Sequence, residues 1–144
     1  MSKSIIIEQQ YPYTPDEVWE AITDQKEISQ WLMNGTFEAR VGSEFEFWWE
    51  KDGQRMGTTY GKVLEMDKPR KLSYTWDWGS EATPGGTLVT FYLEPAGNGT
   101  KLRFEHTGFV EGADENVFTG AQYGWNSMLP KIANVIAKRE KATA

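Results

Sequence analysis

Between residues 37 and 107 the sequence alternates apolar and polar side chains in short runs, which turn-forming residues separate. A period of two is typical of β-strands, whose successive side chains point to opposite faces of a sheet. Neighbouring runs are joined by turn pairs such as Asp52-Gly53 and Asn98-Gly99, so we expect consecutive strands to pair antiparallel. With one run near the N-terminus, the predicted strands cover 3–10, 37–41, 44–50, 55–65, 71–78, 87–94 and 100–107.

Two short helices are predicted between the first and second strands. Thr14 can cap the first helix, Pro15 suits its first position, and Glu17 follows the cap by three residues to complete a capping box. A second helix start follows at Asp24, with Glu27 three residues later.

The C-terminal segment predicts one long amphipathic helix over about residues 114–139. Pro130 lies inside this pattern and removes a backbone donor, so we expect a bend near residues 126–130. Gly120 and Gly124 lie one turn apart and leave a bare patch on the helix. The apolar residues that recur at steps of three and four are Val117, Phe118, Ala121, Trp125, Met128, Leu129, Ile132, Val135 and Ile136.

This order of elements predicts an α+β fold of one domain spanning residues 1–144. A seven-stranded antiparallel sheet of this length twists and curls, and its concave face needs a cover. The C-terminal helix is the one predicted element long and apolar enough to provide it. Because a single helix is a poor fit to a curved sheet of seven strands, we expect a hydrophobic cavity between them.

Two aromatic rows, FEFWWE at 45–50 and YTWDW at 74–78, stand on neighbouring predicted strands. Large apolar residues are most often core, but Tyr and Trp carry polar tips, and aromatic walls also line ligand pockets. We expect part of the set to pack solidly and part to line a pocket. The candidate ligand-binding residues are Phe45, Phe47, Trp49, Tyr74, Trp76, Trp78, Phe104 and His106 on the sheet, with Gly120, Gly124 and Met128 on the helix.

The composition excludes several kinds of site. The chain has no cysteine and a single histidine, His106, which excludes disulfides, thiolate catalysis and two-histidine metal sites. We expect no metal, no cofactor and no catalytic residue. His106 has two interpretations: a buried histidine satisfied by hydrogen bonds, or a polar anchor or proton-transfer group in the pocket.

The charge pattern also limits the partners. A net charge of -6 without a cluster of Lys or Arg argues against a nucleic-acid partner. The apolar run Ile5-Ile6-Ile7 is too short for a signal peptide or a membrane span. We therefore expect a cytoplasmic protein that does not insert into membranes.

Several motifs together resemble the activator of heat-shock-protein-90 ATPase homologue-like family of the SRPBCC superfamily, which also contains the START lipid-transfer and birch-pollen-allergen proteins. The likeness covers about residues 5–138. The motifs are TPDEVW at 14–19, AITD at 21–24 and WL at 31–32; GKVLE at 61–65 with Pro69, Leu72 and YTW at 74–76; and HTGF at 106–109 with Gly124-Trp125 and Leu129.

The resemblance implies a helix-grip fold, in which an antiparallel sheet wraps round a long C-terminal helix and a hydrophobic cavity lies between. Members of the superfamily bind lipids, polyketides, hormones or flavonoids, and a few are enzymes. Eukaryotic members of the family itself are co-chaperones.

Three functions therefore stay open. The first is a binding protein for a hydrophobic small molecule, of lipid, polyketide or flavonoid type. The second is a co-chaperone-like protein-interaction module in the stress response, for which Trp48 is the candidate surface anchor because it alternates away from Phe47 and Trp49. The third is a cyclase or dehydratase that uses His106 as acid or base.

Overall fold

The computed structural model describes residues 2–78, 86–110 and 115–143; residue 114, where the predicted C-terminal helix begins, lies outside them. Side chains are described for 4–78, 86–109 and 115–139. The elements are β1 (Ser2–Tyr11), α1 (Pro15–Thr23), α2 (Gln25–Trp31), β2 (Asn34–Gly35), β3 (Glu44–Lys51), β4 (Gln54–Asp67), β5 (Lys71–Trp76), β6 (Thr87–Ala96), β7 (Gly99–Val110), α3 (Glu115–Met128) and α4 (Lys131–Thr143).

The strands form one curved seven-stranded antiparallel sheet in the order β1-β7-β6-β5-β4-β3-β2. Each strand from β2 to β7 pairs with its neighbour in sequence, and β1 returns to pair with β7 along its whole length. The α+β helix-grip architecture predicted from the sequence is thereby confirmed.

Both predicted helix starts carry the expected caps. The Thr14 hydroxyl accepts a hydrogen bond from the Glu17 backbone N–H at 3.3 Å, and the Glu17 carboxylate accepts one from the Thr14 N–H at 3.0 Å. Asp24 ends α1 and caps α2 by accepting from the Lys26 N–H at 3.1 Å. These bonds satisfy donors that helix starts otherwise leave without a partner.

The prediction of a strand over 37–41 is wrong, although apolar and polar residues do alternate there in the sequence. The Phe37 N–H donates to the side chain of Gln25 at 2.9 Å, and the Ser43 N–H donates to the Arg40 carbonyl at 3.1 Å. The backbone of this segment thus finds side-chain and turn partners. The strand in this part of the chain is the two-residue β2, where Asn34 pairs with Trp48 of β3.

The C-terminal helix is divided in two at Leu129-Pro130, the site of the predicted bend. Pro130 has no N–H to donate, and α4 starts at the next residue. The Leu129 carbonyl accepts from the Tyr11 hydroxyl at 2.8 Å, which fixes the break against β1. Ile132 and Ile136 of α4 are fully buried.

Arg139 joins α4 to the two short helices. Its Nε donates to the Glu27 carboxylate at 2.7 Å and a second N–H donates to the other Glu27 oxygen, a two-point pairing that suits a guanidinium. The same group donates to the Glu17 carbonyl at 3.2 Å and lies 3.5 Å from the Glu20 carboxylate. The three helices are therefore held together on the covered side of the sheet.

In the part of the chain that the structure describes, no helix combines the length and the apolar character that crossing a bilayer requires.

Candidate functional site

A cleft of about 370 Å³ lies between α3 and the end of β5. This volume is within the range of small-molecule sites. None of the described side chains that line it carries a charge at neutral pH. They are Met33, Trp76, Trp78, Asn116, Val117, Gly120, Ala121, Gly124, Trp125 and Met128.

The two glycines of α3 border this space. Among the described residues, and apart from the helix's own backbone, a Cβ atom added at Gly120 would meet no atom within 4 Å, and one added at Gly124 would contact the Met128 methyl at 3.5 Å. The missing side chains therefore leave open volume where other helix residues would fill it. The sequence interpretation of these glycines as a bare patch agrees with this geometry.

Two other depressions of about 570 and 560 Å³ have a different character. The first is lined by Glu44, Glu46, Lys62 and Asp77 among others. The second has Glu8, Asp67, Arg70, Lys71, Glu94, Lys101 and Arg103 in its wall. An apolar molecule in either one would desolvate charged groups, which is costly. The cleft under α3 is the better candidate for a hydrophobic guest.

Five of the predicted ligand-binding residues line the cleft: Trp76, Trp78, Gly120, Gly124 and Met128. Phe45, Phe47, Tyr74 and Phe104 are instead packed behind it, each at most 3% exposed. Their ring centroids lie close together, at 5.1 Å for Phe45 and Tyr74. Phe47 and Tyr74 pack against Trp76, and Phe104 packs against Trp125, so these rings belong to the aromatic core behind the cleft.

Trp49 lies away from the cleft and is 48% exposed. It shares the alternation of Phe45 and Phe47, but the pairing of β3 with β4 shifts register between Phe47 and Trp49. The Trp49 indole covers Gly57 of β4, whose φ is +54° and where a Cβ would collide with the ring. Alternation alone does not reveal where a strand leaves the covered area of its sheet.

His106 is fully buried and both of its ring nitrogens have partners. Trp125 Nε1 donates to His106 Nδ1 at 3.0 Å, and because an indole N–H only donates, Nδ1 must be unprotonated. Nε2 therefore carries the proton and faces Thr87 Oγ1 at 2.5 Å. The Thr87 hydroxyl donates onward to the Trp76 carbonyl at 2.9 Å.

This chain of hydrogen bonds holds His106 neutral. Burial lowers the pKa of its imidazole from 6.5 to about 3. A protonated ring would also direct an Nδ1–H at the Trp125 N–H. The geometry matches the interpretation of a satisfied structural histidine, which positions Trp125 in the cleft wall.

Trp76 carries an unusual polar group. Its ring is 3% exposed and lines the cleft, and within the described residues its Nε1–H is the buried side-chain donor without a hydrogen-bond partner. The nearest rings are those of Trp125, at 5.0 Å between centroids, and Phe47, at 5.9 Å. Buried donors usually have acceptors.

The cleft also has lining residues that were not among those predicted from the sequence, namely Met33, Asn116, Val117, Ala121 and Trp125. A signal existed for Val117, Ala121 and Trp125, which belong to the same apolar stripe as the two glycines. Where a helix covers both packed core and open space, the same apolar face of the helix borders both. Met33 follows α2 and approaches only through the tertiary fold.

Among the residues that the structure describes, one group of carboxylates is close enough together to suit a metal ion, namely Glu20, Asp24 and Glu27. The guanidinium of Arg139 already pairs with Glu27 and lies 3.5 Å from Glu20. A positive charge thus occupies this position without a metal.

Comparisons with known proteins agree with this architecture. The family model described as "Activator of Hsp90 ATPase homolog 1-like protein" matches residues 12–137, which confirms the resemblance inferred from the motifs. No protein of curated function matches the chain.

Solved structures extend the likeness over nearly the whole chain. Protein MLL2253 from Mesorhizobium loti is 29% identical with a TM-score of 0.83, over 94% of this chain and 98% of that one. CalU16 from Micromonospora echinospora is 28% identical with a TM-score of 0.67, over 98% and 85%. The Aha1 dimer from Colwellia psychrerythraea, 20% identical with a TM-score of 0.77 over 93% and 96%, shares the fold.

Proposed function

Since this chain belongs to the activator of Hsp90 ATPase homolog 1-like protein family and carries a cleft of about 370 Å³ under α3 whose described side chains are uncharged, we propose that it binds a hydrophobic small molecule there. The cleft is the observation that supports this proposal. We place the protein in the cytoplasm and its ligand among lipid, polyketide or flavonoid-like compounds, as the sequence led us to expect.

Binding at this site would draw its free energy from apolar surface. Each Å² of apolar area removed from water contributes about 25 cal/mol, and the two tryptophans on the sheet side, Trp76 and Trp78, offer wide, flat contacts. Their ring planes are inclined by 78° to each other. A guest with a flat ring can lie on one indole face and meet the edge of the other.

Leucine at Gly120 or Gly124 is expected to weaken ligand binding at least about tenfold, which corresponds to about 1.4 kcal/mol. The new side chain would occupy the space that a guest needs, since the backbone there has room for it. Stability should not fall, because leucine favours a helix over glycine by about 0.8 kcal/mol. Fluorescence titration measures the effect, since Trp76, Trp78 and Trp125 line the cleft.

Gln122→Leu is the matched control, because it adds a leucine at an exposed position of α3 that does not line the cleft. It should bind as the unchanged protein does. Native mass spectrometry of protein purified from its own host would identify a co-purifying ligand. Equal binding by the Gly124→Leu, Gly120→Leu and Gln122→Leu variants would contradict the proposed site.

A second candidate function is a co-chaperone-like contact through the β3–β4 hairpin. Trp49 and Met56 pair across these strands and are 48% and 38% exposed. Trp48, the anchor expected from the sequence, is half-buried beneath the Arg55 guanidinium, 4.0 Å from its ring centre. The exposed Trp49 is the better anchor of the two.

Trp49→Ser is expected to abolish chaperone binding if this second function operates, and to leave small-molecule binding unchanged. A pull-down and an ATPase assay with the chaperone of the same host measure it. Tyr123→Ser, at a 79% exposed position on α3, is the control for loss of any exposed aromatic residue. If the unchanged protein does not bind the chaperone, the second candidate function is excluded.

A further inference from the structure

The unpartnered indole N–H of Trp76 narrows the chemistry of the ligand. We propose that the guest of the cleft is an uncharged ring compound that carries a carbonyl-type oxygen, and that Trp76 Nε1 donates a hydrogen bond to this oxygen. The inference rests on the proposed function, because it concerns the same cleft, and it adds which polar group the ligand must present.

A buried hydrogen-bond donor needs an acceptor. Leaving an N–H without a partner inside a protein is unfavourable, so few native donors remain so. Trp125 also lines the cleft, but its indole N–H has an acceptor, His106 Nδ1, at 3.0 Å. Within the described part of the chain, Trp76 Nε1 has no such acceptor. A ligand oxygen would supply it.

The surroundings of Trp76 offer little alternative. Tyr74 stacks beside its ring at an angle of 23° and a centroid distance of 6.4 Å, and Phe47 and Trp125 approach it at 5.9 and 5.0 Å. These neighbours enclose Nε1, so a ligand must press between the rings to reach this donor. The hydrogen bond gained there distinguishes ligands that can accept from those that cannot.

The lining also indicates that the ligand is neutral. No Lys or Arg lies among the described cleft residues, so a carboxylate or phosphate would be buried without a counter-charge. No Asp or Glu lies there to pair with a cation. A carbonyl oxygen accepts a hydrogen bond strongly and carries no net charge, which fits both conditions.

The test compares 9-fluorenone with fluorene, which share a three-ring framework and differ by one carbonyl group. We expect the unchanged protein to bind fluorenone about tenfold more tightly than fluorene. In Trp76→Phe the ratio should fall to near one, because the ring remains aromatic and the N–H is lost. Trp78→Phe, which also changes the cleft wall, should weaken both compounds and keep the ratio.

A measurement on the unchanged chain covers the case in which Trp76→Phe does not fold. With ¹⁵N-labelled indoles, the Trp76 Nε1–H resonance should move downfield on adding fluorenone and stay nearly in place with fluorene. Equal affinity for both compounds, or no downfield movement with bound fluorenone, overturns this inference and leaves the proposed function standing. Binding of neither compound overturns the proposed function and this inference together.

Discussion

Acidification from pH 7 to pH 4 is expected to lower the free energy of unfolding by about 3 kcal/mol through His106 alone. Burial lowers the pKa of this imidazole from 6.5 to about 3, so between these values the unfolded chain binds a proton that the folded protein does not. The contribution is fully favourable above pH 6.5, declines as the pH falls, and is completely lost below about pH 3. Because the chain has one histidine, no other imidazole obscures the effect.

Urea unfolding of the unchanged protein and of His106→Asn across this pH range measures the effect. Asparagine keeps an acceptor for the Trp125 N–H and does not titrate, so carboxylates contribute equally to both proteins and cancel in the difference. The unchanged protein should lose stability more steeply than the variant, by up to about 1.4 kcal/mol per pH unit. Parallel curves would mean that His106 is accessible to protons in the folded state.

Trp125→Ala is expected to destabilise the protein by about 3–5 kcal/mol. Trp125 is the buried side chain of α3, and its ring lies 4.4 Å from that of Phe104 and 5.0 Å from that of Trp76. The substitution would open a cavity in this cluster and leave His106 Nδ1 without its donor. An unsatisfied buried acceptor adds its own cost of about 1–3 kcal/mol, part of which is included in the total.

Thermal and urea unfolding measure this loss, and two variants separate its causes. Trp125→Phe keeps most of the packing and removes the hydrogen bond, so it should cost about half as much. Tyr123→Ala changes an aromatic residue of the same helix that is 79% exposed, and should alter stability by less than about 0.5 kcal/mol. A loss below 1 kcal/mol for Trp125→Ala would contradict the packing described here.

Local signals predicted the elements of this fold well where one physical cause dominates. Thr14 and Glu17 form the capping box that their spacing indicates, and two-residue turns join β3 to β4 and β6 to β7. The prediction for 37–41 failed because the alternation in sequence does not follow burial there: Phe37 is buried, but Ala39 and Val41 are exposed, and a strand also needs a neighbour for its backbone. Phe37 is buried, yet its N–H reaches a glutamine side chain.

The candidate site was only partly predictable because an aromatic residue looks the same in sequence whether it fills a core or lines a cavity. Phe104 and Trp78 both face the helices, but Phe104 is fully buried and Trp78 borders open space. The difference arises from which part of α3 lies over each ring: Trp125 packs on Phe104 at 4.4 Å, whereas Trp78 borders the cleft beside Gly120 and Gly124. No local pattern encodes this. The glycines were the more informative signal, since missing side chains predict empty volume directly.

The break at Pro130 separates the helix that stabilises the fold, α4, from the helix that borders the cleft, α3. The segment after it holds the fold through Ile132, Ile136 and the pairing of Arg139 with Glu27, whereas α3 inserts the single buried side chain of Trp125. Substitutions in the helical turns around Gly120 can therefore change the shape of the cleft while the chain stays folded. Ligand preference in such a protein can change at little cost in stability, because the folding requirement on α3 falls mainly on Trp125.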